Sequence, residues 1–282
     1  MFKLENIPMR LQFLGTAAAE AMPAFFCECE VCSYAKKNGG KDIRRRCSYL
    51  LDDDTMIDFG PDVNWQTTEF NIDLLKIKRI IFTHSHSDHL DAGEILWRRA
   101  GFSQISKKIR ILGDEGIHET ICRKTGTDYD TLWLEKVLLQ PGIKTQEEDI
   151  TILPVRANHD PAATPLNYII SRNGKNLLIA NDTGWWSDES WDILKNSGIR
   201  LDMAVIEACG CLKWPGWKHS HLSADTCVMM RDELQKIGLI DDKTICVTNH
   251  FSHNGGSTHA EMEEFFGKNN MIVAFDGLTI EF

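Results

Sequence analysis

The stretch FTHSHSDHLDAGE, residues 82–94, places His84, His86, Asp88 and His89 within six positions, directly after the apolar run KRIIFT (78–83). A turn after a buried strand lets His84 and His86 project to one side while Asp88 and His89 project toward a second point. Imidazoles and a carboxylate in that mixture suit zinc, manganese or iron.

Three further apolar runs end the same way. TILPVRAN (151–158) leads into His159, NLLIAN (176–181) into Asp182, and TICVTN (244–249) into His250. Strands aligned in one sheet direction would bring those ends to one rim, the place where α/β folds build their sites. Scattered surface histidines would not keep that grammar, so the pattern predicts one shared site. Between the strands the chain carries helical patterns at DAGEILWRRAGF (91–102), DYDTLWLEKVLL (128–139), SDESWDILKNSG (187–198), SADTCVMMRDELQKIG (223–238) and HAEMEEFF (259–266). Serine or aspartate stands where several of these need an N-cap. Short strands alternating with helices predict mixed sheets covered by helices. No linker, tandem repeat or low-complexity segment interrupts the 282 residues, so residues 1–282 read as one domain.

The net charge of −10, from 31 basic and 41 acidic residues, argues against a protein that grips nucleic acid over a wide face. The basic run Lys41, Arg44, Arg45 and Arg46 reads mostly as solvated surface. No apolar run approaches the roughly 20 residues of a membrane span. The opening MFKLENIPMRLQFLG is too polar for a secretion signal, which predicts a cytoplasmic protein without a membrane partner.

Nine cysteines without a secretion signal argue for thiols and metal ligands over disulfides. Cys27, Cys29 and Cys32 lie within AFFCECEVCSYA (24–35). Glu28 and Glu30 alternate with them, which a buried thiol core would not favour. A redox CxxC would leave Cys27 unexplained, so structural zinc is the better reading. In TNHFSHNGG (248–256) His250 sits at the strand end, which leaves His253 as fourth ligand. A Cys3His site keeps no open position and is therefore structural. Cys209 and Cys211, the rival thiols in the strand-end ACGC, are more simply read as packing.

With these motifs in view, His84-x-His86-x-Asp88-His89 followed by His159, Asp182 and His250 resembles the metallo-β-lactamase superfamily. The resemblance implies an αββα sandwich with two divalent cations, zinc or manganese, at one edge. The first would take His84, His86 and His159, and the second Asp88, His89 and His250, with Asp182 bridging both. Asp58, in TMIDFG, matches an early aspartate that orients a ligating histidine from behind. Aspartate at the bridging position points to phosphoesters rather than lactams, through a hydroxide shared between the cations. More narrowly, the chain is similar to the phosphoribosyl cyclic phosphate phosphodiesterases of the carbon–phosphorus lyase pathway. The likeness rests on Gly15 in LGT, Pro23, the cysteine cluster, RRRCS around Cys47, NHD, NDTG, HLS at His221, NHFSH, and Asp276 in FDG. It implies a small phosphodiester substrate, a homodimer, and His221 as the group that meets the scissile phosphate or protonates a leaving oxygen. An imidazole titrating near neutrality suits that role, with Asp88 also at the reacting centre; His219 is the competing candidate. His118 and His259 read as surface residues.

Two departures from that family stand out. The first turn reads GTAAAEAMP where a glycine-rich loop is expected. The stretch from GWWSDESW to CGCLKWPGWKHSH is long and holds Trp185, Trp186, Trp191, Trp214 and Trp217. These rings read first as packing; the sharper reading puts Trp214 and Trp217 at a pocket mouth. Rival functions are a tRNA 3′-end nuclease of the same superfamily, a carboxylic ester, thioester or lactone hydrolase, and a non-catalytic metal-binding protein.

Overall fold

The computed structural model describes residues 7–282. In chain order the elements are β1 (Arg10–Gly15), α1 (Glu30–Asn38), β2 (Ser48–Leu51), β3 (Thr55–Ile57), α2 (Val63–Glu69), β4 (Arg79–Ile81), α3 (Ala92–Ile95), β5 (Ile109–Gly113), α4 (Glu115–Thr125), β6 (Leu134–Leu138) and β7 (Thr145–Glu147). They continue with β8 (Ile150–Arg156), β9 (Leu166–Arg172), β10 (Lys175–Ala180), α5 (Asp188–Asn196), β11 (Met203–Glu207), α6 (Ala224–Lys236), β12 (Ile245–Asn249), α7 (His259–Gly267), β13 (Ile272–Val273) and β14 (Thr279–Glu281).

The strands form two seven-stranded sheets, in the orders β14-β1-β2-β3-β4-β5-β6 and β13-β12-β11-β10-β9-β8-β7. Strand periodicity explains the layering. Along β10 and β11, Leu177, Ile179, Met203 and Val205 pack between the sheets with Leu11, Phe13, Ile57 and Ile81 of the other sheet. Their neighbours Leu178, Ala180, Ala204 and Ile206 face outward onto Trp191, Leu194, Met230 and Phe266 of α5, α6 and α7. Strands buried on both faces read as unbroken apolar runs, which is why these segments show no alternation. On the far side Ile80, Ile109 and Ile111 pack under Val63, Ile95, Ile117 and Ile121 of α2, α3 and α4. The result is the expected αββα sandwich.

The helices begin where their caps allow. Ser187 caps α5, and a reciprocal Thr258–Glu261 capping box opens α7. Two predicted helices differ. Residues 91–102 give only the short α3 and a 3-10 turn, and 128–139 give a turn and the strand β6. Leu134–Leu138 pairs in parallel with β5 at the sheet edge, and that ladder overrides the helical propensity of the leucines and lysine. No helix among the described residues is long and apolar enough to cross a membrane.

Three predicted surface residues are buried instead. His118 lies between the Tyr129 hydroxyl at 2.6 Å and the Val137 carbonyl at 3.3 Å, and burial lowers its pKa to about 4. His259 Nδ1 meets the Arg44 guanidinium at 2.7 Å. Arg44 also donates to Thr16 Oγ1 and the Ala274 carbonyl and lies 4.5 Å from the Phe251 ring. Arg44 therefore clamps the chain on either side of the site rim, and only part of the basic run is solvated.

A buried ion cluster joins the two sheets. Arg172, ending β9, donates to Asp52 at 2.7 Å, to both oxygens of Asp54 at 2.9 and 2.8 Å, and to Asp149. Arg79, fully buried in β4, donates to Glu148 and Asp149. Burial disfavours the Asp54 charge, but the Arg172 guanidinium outweighs it and holds the carboxyl below its ordinary value. That stabilisation is present above about pH 4 and is lost as the pH falls below it. Arg172→Leu removes the guanidinium shared by Asp52, Asp54 and Asp149, while Lys78 still pairs with Asp54 and Arg79 with Asp149, and should cost about 1–3 kcal/mol in denaturant unfolding at pH 7. The gap to wild type should narrow as the pH drops below about 4; a gap independent of pH would contradict this assignment.

Candidate metal centre

The site residues leave their strands at one common rim. β8, β10, β11 and β12 run in the same direction, and β4 delivers His84 from the other sheet. The four strand ends thus meet, but across two sheets rather than in one. Three side chains are turned into the rim by left-handed backbone: Asp58 (φ 62°), Asp182 (φ 46°) and His250 (φ 60°). Such conformations cost about 1–3 kcal/mol each and persist where the surroundings over-determine them. Close approach matters as well. A Cβ on Gly60, in IDFG, would lie 2.0 Å from the Asp88 carbonyl oxygen, so glycine lets the HSDH turn sit against β3.

The imidazoles converge in two groups. His86 Nδ1 lies 3.0 Å from His84 Nε2 and 3.3 Å from His159 Nε2. His89 Nε2 lies 3.1 Å from Asp88 Oδ2 and 3.0 Å from Asp182 Oδ2, and His250 Nε2 is 3.0 Å from the same Asp182 oxygen. Asp182 Oδ1 lies 3.8 Å from His159 Nε2. The Asp182 carboxylate therefore stands between the two groups. The ligand atoms of His84, His86 and His159, of His84, His89 and Asp182, and of Asp88, His89 and His250 each lie close enough to share an ion.

The far sides of three of these rings are tied down. Asp58 Oδ2 accepts from His89 Nδ1 at 2.7 Å, while Asp58 itself is held by the Thr83 amide and hydroxyl. His159 Nδ1 donates to the Ser220 carbonyl at 3.1 Å, and His86 Nε2 meets Asp160 Oδ2 at 3.1 Å. These contacts fix each tautomer and leave the other nitrogen aimed inward. Yet His89 Nε2, Asp182 Oδ2 and both ring nitrogens of His250 are buried without any hydrogen-bond partner. Orphaned buried polar atoms are costly and rare. A cation pair would satisfy them, so the residues present fit two divalent ions.

The charges agree. Burial opposes a charged His89, but Asp88, Asp182 and Asp58 outweigh it and raise its pKa well above the usual value. Burial likewise opposes His250, and Asp182 pushes it up to about 10. This carboxylate cluster demands positive charge, which protons supply when no metal does.

His221 lies on the same cavity, with its ring 4.7 Å from that of His159 and 5.7 Å from that of His250. Its Nδ1 donates to Glu207 at 2.9 Å, and fully buried Glu207 also accepts from the Thr183, Cys209 and Leu222 amides. Burial works against the imidazolium, but Glu207 prevails and pushes the pKa up to about 12, not near neutrality as expected. His219 is exposed and does not line the cavity. Glu207 and Asp160 escaped the sequence reading. DMAVIE (202–207) is a fifth apolar run ending in a charged group, the same signal that marked the others. Asp160 directly follows His159.

Beside the centre, His253 Nδ1 lies 3.5 Å from Cys27 Sγ and 3.6 Å from Cys29 Sγ, and Cys32 completes the cluster. Cys29 caps α1. The Ala24 amide donates to Cys32 Sγ. Cys211 is core, as read, but Cys209 lines the cavity.

The β-lactamase superfamily domain matches residues 54–240, and the chain belongs to that superfamily. It is similar in structure to a diphosphatase from the PhnP family, 21% identical with a TM-score of 0.75 and 98% of each chain covered. It is also similar to Zn(2+)-bound PqqB from Methylobacterium extorquens (15%, TM-score 0.72, 97% of this chain and 100% of that one). The short form of human tRNase Z is a further neighbour (17%, TM-score 0.64, 96% and 98%). No curated protein matches the sequence.

Because a metal must displace protons from His89 and His250, its affinity should rise with pH, by about tenfold per unit for each proton released. Chelator competition with zinc at pH 6, 7 and 8 measures this. A pH-independent affinity would contradict the charge assignment.

Proposed function

We propose that the protein is a metal-dependent phosphodiesterase acting on small phosphodiesters, cyclic ones included. The observation that carries the reading is the Asp182 carboxylate, one oxygen 3.0 Å from His89 and His250 and the other facing His159. His84, His86 and His159 would hold one divalent cation, Asp88, His89 and His250 the other, and Asp182 both. Such a pair supplies an activated water and neutralises charge on the phosphoryl oxygens. Zinc and manganese both suit this ligand set.

The remaining work falls to the chain. Asp58, Asp160 and the Ser220 carbonyl aim the histidines. Asp88, at the cavity wall, keeps its carboxylate ionised: burial works against the charge and His89 overrides it. His221, held protonated by Glu207, presents its other nitrogen as a donor to a phosphoryl or leaving oxygen. The cavity, about 260 Å³, suits a small ester. A structural neighbour described as a diphosphatase supports phosphorus–oxygen chemistry. The acidic balance favours a small molecule over precursor tRNA. Cys27, Cys29, Cys32 and His253 would form a closed zinc knuckle that ties α1 to the turn after His250.

Metal-loaded protein should hydrolyse bis(p-nitrophenyl) phosphate and a ribose cyclic phosphate. His221→Ala should lower kcat by about 10²- to 10⁴-fold with metal content intact. No turnover on any cyclic or aryl phosphodiester would overturn the reading. Cys29→Ser should lose one zinc and lower the Tm while two catalytic ions remain, by elemental analysis; loss of catalytic metal from folded protein would show the knuckle misassigned.

A further inference from the structure

Trp214 and Trp217 do not join the outer-core packing that takes up Trp185, Trp186 and Trp191 of the same stretch. Trp186 and Trp191 are buried in the outer core, whereas Trp214 is 39% exposed, and both Trp214 and Trp217 line the metal-centre cavity. The two indoles meet edge to face, 5.3 Å apart at 85°. Trp217 in turn lies 5.4 Å from the His221 ring. An aromatic path therefore runs from the reacting centre to the mouth.

Trp217, the ring against which Trp214 packs, is anchored. The Trp217 carbonyl accepts from the Ser223 amide at 3.1 Å and the Thr226 hydroxyl at 2.6 Å, at the start of α6. The Gly216 amide donates to Asp225 at 2.8 Å. Trp217 also packs so closely on Gly210 that a Cβ there would come within 2.8 Å of the ring. A rigid indole loses little entropy when a ligand stacks on it, which distinguishes a recognition surface from a loose loop. Lys213 places its ammonium 5.5 Å from the Trp214 ring, adding positive charge at the mouth. Glu20 and Asn254, bonded to each other at 3.1 Å, offer the same cavity a carboxylate and an amide able to meet the edge of a ring.

We propose that Trp214, backed by Trp217, is a stacking platform for a flat ring, so that the substrate is a phosphodiester bearing a nucleobase or aryl group rather than a bare sugar phosphate. This rests on the phosphodiesterase reading and narrows its substrate class. Stacking of a base on an indole strengthens binding by about tenfold or more.

Calorimetry on the metal-loaded protein tests the platform through binding alone, with AMP and inorganic phosphate as probes. AMP should bind at least about tenfold more tightly than phosphate. Trp214→Ala should collapse that ratio toward one, and Trp214→Phe should keep most of it. AMP no tighter than phosphate, or a ratio that survives Trp214→Ala, would overturn the platform. Absence of turnover on every phosphodiester would overturn the function instead, so the two failures are distinguishable.

Discussion

A buried carboxylate between two imidazole groups is the constraint on which the structure turns. Asp182 sits at the end of β10 in left-handed backbone, almost without solvent, with one oxygen lacking any hydrogen bond. Taking such a charge out of water costs several kcal/mol unless cations surround it. The fold answers by delivering His159 and His250 from one sheet and His84 from the other, with His89 on the following turn. Both sheets must keep register for those ends to meet, so their shared apolar core is also what positions the chemistry.

The rim is braced at two distances. Immediately behind the candidate ligands and His221, Asp58, Asp160, the Ser220 carbonyl and Glu207 each take one imidazole nitrogen and so fix the other. Farther out, Arg44 binds Thr16 and Ala274 and covers Phe251, the residue after His250. The Cys27–Cys29–Cys32–His253 cluster grips the same turn from the other side. Ala18, Ala19 and Glu20, between these two anchors, line the cavity. A change in the cysteine cluster would thus reach the cavity wall without touching a catalytic ligand.

Much of this arrangement was legible in the sequence, because side chains able to hold a metal are polar and interrupt apolar strands. His84, His159, Asp182 and His250 stood out as the polar ends of hydrophobic runs, and His86, Asp88 and His89 as the turn that follows one of them. Glu207 carries the same mark, and its role beside His221 depends on a contact across the chain that no local pattern encodes. Asp160 depends on where a loop folds back over His86, which no local pattern encodes. The helix expected at 128–139 failed because β5 offers Leu134–Leu138 a ladder, and pairing partners far along the chain are invisible to local propensity. His118 and His259 look like surface residues in polar helices. Their burial is set by Tyr129 and Arg44, contacts that only the assembled fold supplies.

In the proposed function Asp182 would join two cations into one unit. Electron paramagnetic resonance of the manganese-loaded protein reads that union. Wild type should give the multiline signal of an exchange-coupled Mn(II) pair at two ions per chain, and Asp182→Ala should abolish the coupling. Two isolated Mn(II) signals in wild type, or coupling that persists without Asp182, would contradict it.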